Sequence, residues 1–386
     1  MPTTGLVSSR LSSSSHSHPK ADGSWRDWKN IDQSNAECKG YDLYHLDKAS
    51  LTGPTSGRAE PPALDSFGLF GDRGYGFECS MVTVSVVFAA RDRFNRDVVI
   101  KLISKGHENA HELEILQLLN SEPLKFNPLN ATVPVVEFLQ FQDWNFVVMP
   151  YCDQSFKPPM TNAEESLEFA EQILTGLAFL HKNRIAHLDV SHENILINHH
   201  GKVPQTCFWL YSGQWVKSCP PPEFRSTFPV RYLFTDFGYS CRFSPSLSLE
   251  GCWMDPMHNG HGRRHKAPEV NYARFNPFAA DVYQTARLFY SWFYHVTPNI
   301  PGFFEFLQDM TSFYPPDRPS AAVALERLRH LRSQVPKEIR SKFVNGLEPG
   351  FAWPIVKRPF LRTLREIYMA RGATSAAQFV FKLSKM

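Results

Sequence analysis

The chain has 386 residues, 42% hydrophobic and 20% charged, with a formal net charge of +3. That length allows one large or two modest domains with tails, and the apolar share supports a sizeable buried core. The charge balance is too slight to point to nucleic acid or a membrane surface, and the most apolar stretch, Met81–Ala90, is far too short to span a bilayer.

Residues 1–65 read as a disordered tail, with a Ser- and His-rich stretch over Ser8–His18 and few apolar residues before Pro62. From Met81 the pattern changes. Val82, Val84, Val86 and Phe88 alternate with polar or small neighbours, and β-branched residues surround Lys101 over Val98–Ile103. This periodicity of two predicts an antiparallel hairpin across a polar turn at Arg91–Asp97. Glu108–Asn120 carries Leu113, Leu116 and Leu119 at helical spacing, and two short strands are predicted at Val133–Phe138 and Asn145–Met149. After a connector at Pro150–Pro159 the chain turns helical. Asn162 is placed to cap a helix reaching about Lys182, with Glu164 and Glu165 in its first turn. Further helices are predicted over Phe278–His295 and Ala321–Leu331. The fold class is therefore α+β and bilobal, a small β-rich lobe with one helix before a larger helical lobe.

Four short segments carry candidate chemistry: His187-Leu-Asp-Val-Ser-His-Glu-Asn194, Thr235-Asp-Phe-Gly238, Ala267-Pro-Glu269 and Asp317-Arg-Pro319. Lys101 sits on a predicted strand and Glu112 on the helix after it. Taken singly, an Asp–Asn pair in a loop is ordinary turn chemistry, and a Lys beside a Glu is an ordinary surface ion pair. Together and in this order, the set resembles the protein kinase superfamily.

The resemblance implies a catalytic domain, with a small lobe over 73–150, a large lobe over 151–332 containing an insert at 199–230, and a basic extension over 333–386. It implies ATP and Mg²⁺ as cofactors and a protein substrate, with no nucleic acid and no membrane span. Asp236 and Asn194 would hold the metal, and Asp189 would orient the attacking hydroxyl. Lys101 would contact the phosphates, with Glu112 fixing its ammonium. Met149, the Pro150–Cys152 hinge, Val86, Val99 and Leu196 would surround the base. Glu269 and Arg318 would form a buried ion pair. Asp281 would anchor the catalytic loop, and Leu116, His187 and Phe237 would stack between the lobes. Two alternatives stand beside a serine/threonine kinase: a pseudokinase that binds nucleotide with little transfer, and a small-molecule kinase.

The chain departs from the family pattern in several places. The glycine-rich loop is expected at Cys79–Val86, which has no glycine; Gly74 and Gly76 are the nearest substitutes. Val99 replaces a small residue above the base. Leu188 stands where the family places an arginine that receives an activating phosphate, and Ser191 where a lysine faces the transferred phosphate. His192, Arg263, Arg264 and Lys266 are the candidates to compensate. The chain between Asn194 and Asp236 is unusually long, whereas the path from Asp281 to Arg318 is short, so a substrate-docking helix is expected to be reduced. Seven scattered cysteines with no CxxC pair indicate reduced thiols, and no apolar run follows the N-terminus, so a cytoplasmic or nuclear protein is expected.

Overall fold

A computed structural model of the chain describes residues 40–43, 45–47, 50–52, 87–94, 97–106, 110–150, 152–155, 160, 162–197, 230–257, 265–272, 274–293 and 300–342. Val86, the whole Cys79–Val86 segment, Gly74, Gly76, most of the insert and the extension beyond residue 342 lie outside them.

The small lobe opens with β1 (Asp42–Leu43), β2 (His45–Asp47) and β3 (Ser50–Thr52), then β4 (Val87–Arg91) and β5 (Asp97–Lys105). Helix α1 (Ala110–Leu119) follows, then β6 (Glu137–Phe141) and β7 (Trp144–Pro150). The main sheet is antiparallel in the order β1-β4-β5-β7-β6. Central β5 puts Lys101 opposite Val87 on one side and Val147 on the other. Its side chains alternate as the sequence pattern requires. Val98 and Ile100 pack with Tyr41, Ala90 and Val148, while Ile103, two residues from Lys101, joins the core that runs between the lobes.

Two expectations are corrected here. The stretch read as a mostly disordered tail contributes an edge strand. Leu43 pairs with Ala90 and Asp42 with Arg91, and Tyr41 is buried with its hydroxyl donating to Glu137 Oε2 at 2.7 Å. An unpartnered β4 would expose a row of backbone donors and acceptors, and a short aromatic-apolar stretch covers it. A polar average over 65 residues hid that stretch. The strand expected from Val133 begins instead at Glu137. Pro134 has no N–H to offer a ladder, and Val133 N–H donates across the lobes to Phe234 O at 2.9 Å.

A connector with β8 (Asp153–Gln154) leads to α2 (Ala163–Lys182). Asn162 caps α2 as anticipated, accepting from Glu165 N–H at 2.9 Å. Short strands β9 (Ile185–Ala186), β10 (Ile195–Ile197), β11 (Tyr232–Phe234) and β12 (Cys241–Arg242) frame the catalytic-loop region. Helices α3 (Pro277–Phe293), α4 (Phe303–Met310), α5 (Ala321–Gln334) and α6 (Lys337–Arg340) complete the large lobe. Phe169 of α2 sits edge-on to Tyr232, Phe289 and Phe293, with ring centroids 4.6, 6.1 and 5.8 Å away. Among the described residues one eight-residue helix, α4, stands between α3 and Arg318, and no helix is long and apolar enough to cross a membrane.

Close approach explains Gly176 in the middle of α2. A Cβ there would stand 2.6 Å from Ala131 Cβ and 2.9 Å from the Phe234 ring. On helix propensity alone Gly176→Ala should stabilise by about 1 kcal/mol. We expect the reverse, a loss of about 1–3 kcal/mol from overpacking, read as a lower urea midpoint at unchanged slope. A higher midpoint would refute this packing account.

Candidate active site

Three elements bring the leading charged residues together. Lys101 projects from β5 toward the core between the lobes. Its Nζ lies 2.7 Å from Glu112 Oε1 on α1 and 2.8 Å from Asp236 Oδ1. Glu112 is buried, whereas its neighbour Glu114 is exposed, which settles the partner of Lys101. Glu112 also accepts the Phe237 N–H at 3.2 Å, so one carboxylate holds both the lysine and the turn after Asp236. Asp236 has φ of 62°, and Gly238 N–H approaches its Oδ1 at 3.4 Å. A Cβ on Gly238 would crowd that oxygen at 3.3 Å, so a glycine belongs at this turn.

The second group lies on the adjacent strand. Ile195 pairs with Phe234, and Thr235 N–H donates to Asn194 O at 3.0 Å, which sets Asn194 beside the Asp236 turn. Asn194 Nδ2 donates to Asp189 Oδ2 at 2.8 Å and to Asp189 O at 3.0 Å. The amide therefore presents Oδ1 on its other side. Asp236 and Asn194 offer hard oxygen donors, the type Mg²⁺ takes. Among the described residues no three of His, Cys, Asp and Glu gather as a metal cage.

The base-binding candidates flank this group. Val99 and Met149 are cross-strand partners and both buried, Cys152 is buried at the connector, and half-buried Leu196 on β10 packs on the same core. Deeper in, the His187 ring lies 5.0 Å from the Phe237 ring, and Leu116 and Phe237 line one small cavity with Lys101 and Asp236. Further down, Arg318 forks onto Glu269 with bonds of 2.6 and 2.9 Å, and Asp281 accepts the N–H groups of His187 and Leu188, each at 2.7 Å.

A family model described as protein kinase domain matches residues 83–300. The chain belongs to the protein kinase domain family. Relatives of the kinase domain include the serine/threonine-protein kinase PrkC of Bacillus subtilis (strain 168), 28% identical over 133 residues, which are 32% of this chain and 20% of that protein. The serine/threonine-protein kinase ULK3 of Xenopus laevis is 32% identical over 145 residues, 36% of this chain and 30% of the relative. The chain thus matches less than a third of the length of these two curated relatives. A solved Rad53 kinase domain with SCD2, in complex with AMPPNP, is 18% identical, with a TM-score of 0.38 over 62% of this chain and 84% of that one.

Within the kinase domain some residues escaped the sequence reading. His111, one residue before Glu112, donates from Nε2 to Gly238 O at 2.7 Å and so ties α1 to the turn after Asp236. Ser240 Oγ donates to His187 O at 3.0 Å. Gln284 on α3 bonds the catalytic-loop backbone at two points. A lone His, Ser or Gln carries no motif, so only the fold reveals these contacts. Leu188, in the arginine position, is buried in an apolar cluster with Cys252, Ala267, Val270, Phe275 and Phe278. Of the candidates to replace the missing lysine, His192 pairs with Glu193 at 3.0 Å and Lys266 donates to Met257 O at 3.0 Å. Arg263 and Arg264 lie outside the described residues.

The glycine-loop expectation at Cys79–Val86 falls outside the described residues. Among the described residues the neighbour of β4 at the sheet edge is β1.

The three-way contact separates the two carboxylates electrostatically. Burial alone would lower Lys101, but Asp236 and then Glu112 outweigh it and hold the ammonium above its ordinary value. Burial pushes Glu112 up, against the opposing pull of Lys101. Burial also acts to raise Asp236, but the charge of Lys101 and its hydrogen bond prevail and bring it from 3.8 to about 2. The folded Asp236 therefore stays ionised where the unfolded chain has begun to take up a proton. Stability from this group is complete above about pH 4 and is lost as pH falls toward about 2. Glu112, shifted upward, contributes with the opposite sign. In unfolding free energies measured from pH 5 to 2, Asp236→Asn should flatten the acid slope by up to about one proton. Identical slopes would show that Asp236 carries no such linkage.

Proposed function

We propose that this kinase domain transfers the γ-phosphoryl group of Mg-bound ATP to serine or threonine hydroxyls of protein substrates. The observation that carries this reading is the double contact of Lys101 with Glu112 and Asp236, joined through Thr235 and Asn194 to Asp189. These contacts link five side chains of the types that a moving phosphoryl group needs.

In this reading Lys101 faces the phosphate chain, with Glu112 keeping its ammonium in place. Asp236 and Asn194 are the protein's metal ligands, and bound Mg²⁺ supplies charge neutralisation across the phosphates. Asp189 accepts the proton of the substrate hydroxyl, or orients that hydroxyl for attack. The backbone from Pro150 to Cys152 meets the edge of the base. Pro150 can only accept there, since it has no N–H. Val99, Leu196 and Met149, with Val86 from beyond the described residues, enclose the ring. The choice of serine or threonine follows the relatives named above.

A second reading, a nucleotide-binding scaffold with little transfer, is favoured by one observation. The segment Cys79–Val86, where the family places its phosphate-covering glycines, contains none. Ser191 in the lysine position weighs the same way. Against a small-molecule kinase stands the Glu269–Arg318 fork, the group that the family uses to hold its activation segment.

Labelled ATP, Mg²⁺ and generic protein substrates separate the readings. Asp189→Ala should lower phosphotransfer by roughly 10²–10⁴-fold. It should preserve the Mg–ATP-induced rise in melting temperature, because ligand binding to the native state alone raises apparent stability. Wild-type protein that shows the thermal shift but labels no substrate is a scaffold.

A further inference from the structure

Gln284 lies three residues beyond Asp281 on α3, and both are buried. Its Oε1 accepts the Val190 N–H at 2.9 Å, and its Nε2 donates to Leu188 O at 2.9 Å. These are the far ends of the two peptide units that flank the Cα of Asp189. The other ends are also held. Asp189 N–H donates to His187 Nδ1 at 3.3 Å, and Asp189 O accepts from Asn194 Nδ2 at 3.0 Å. All four backbone groups around Asp189 thus have named partners, and one side chain supplies two of them.

The need for such a clamp is visible at Leu188. Its φ is 63°, in the left-handed region that a branched side chain disfavours. A non-glycine residue stays there only when its surroundings over-determine it. Asp281 takes the Leu188 N–H, Gln284 takes its carbonyl, and the apolar cluster takes its side chain. The residue before Asp189 is therefore gripped at each polar group without any charge of its own.

We propose that Gln284 is a positioning residue for Asp189. It fixes both flanking peptide planes from beneath, so the carboxylate is preset toward the substrate hydroxyl without a phosphorylated activation segment. This inference rests on the phosphotransfer reading given above. It differs from simple satisfaction of a buried amide in what it predicts. Placement of Asp189 should affect turnover, while the nucleotide contacts of Lys101, Asp236 and the Pro150–Cys152 backbone stay as they are.

Gln284→Met in the full chain keeps length and volume but removes both hydrogen bonds. We expect kcat to fall about 10²-fold, the cost of a small misplacement of a catalytic group. KM for ATP and the Mg–ATP thermal shift should stay within about twofold of wild type. Gln284→Asn, one methylene short, should behave the same way, and it serves if the Met variant does not fold. A folded variant with wild-type kcat overturns the proposal, as does one that loses kcat and nucleotide affinity together. Hydrogen exchange at the Val190 amide reads the clamp directly and needs no variant. It should be as slow as in the α3 core, and exchange at the rate of an exposed loop refutes the clamp. Wild-type protein that transfers no phosphate overturns the phosphotransfer reading and the catalytic role of Gln284 together. Slow Val190 exchange in that same protein shows that the chemistry failed and not the clamp.

Discussion

Lys101 Nζ stands within 2.8 Å of two carboxylates that come from different lobes. Two anions this close, with Glu112 buried and Asp236 partly exposed, repel each other unless a cation lies between them. The ammonium therefore holds β5, α1 and the Asp236 turn in one arrangement, and the polar geometry of the cleft follows from it. Helix α1 cannot swing away without breaking the Lys101–Glu112 pair and the Phe237 N–H bond to Glu112. The Asp236 turn cannot flip without giving up both Lys101 and the N–H bond from Phe237 to Glu112. His111 adds a third tie between helix and turn. The core continues the same logic in apolar terms, since Ile103 and Leu116 of the small lobe join one cluster with Phe169 and Phe289 of the large one.

The catalytic loop is held by a different kind of force. Its backbone hangs on hydrogen bonds from α3, where Asp281 is fully buried and accepts from His187 N–H, Leu188 N–H and His181 Nε2. Buried acceptors of this sort are costly to leave unmade, so α3 and the loop behave as one piece. Ion pairing sets the upper half of the cleft, and hydrogen bonding to buried groups of α3 sets the lower half.

This division explains what could be read in advance. Lys101, Glu112, Asp189, Asn194 and Asp236 were legible because their chemistry demands specific residue types in a fixed order. Asn162 and the apolar positions of α2 were legible because capping and periodicity are local. Asp281, Glu269 and Arg318 came from resemblance and are found paired as expected. The unread features share a different cause. Asp42 and Leu43 join the sheet through partners 49 and 47 residues away in sequence, Arg91 and Ala90, which no local pattern encodes. The start of β6 moved because Val133 is committed to a partner in the other lobe. Gln284 and His111 act through backbone groups brought to them by the tertiary fold, and a side chain that bonds backbone leaves no matching residue type to look for.

Leu188 shows where this chain parts from the family's usual control. For a phosphate on the activation segment to favour one conformation, it must interact differently with the two states. An arginine before the catalytic Asp would supply that difference through its charge. A buried leucine supplies none, because its contacts are with Ala267, Val270, Phe275 and Phe278, apolar groups from and beyond the end of the segment. The same contacts stabilise the segment against the loop whatever its phosphorylation state. Packing at Leu188 and the Gln284 bonds on either side of Asp189 thus act together. The apolar cluster holds the Leu188 side chain, and α3 holds its backbone N–H and carbonyl.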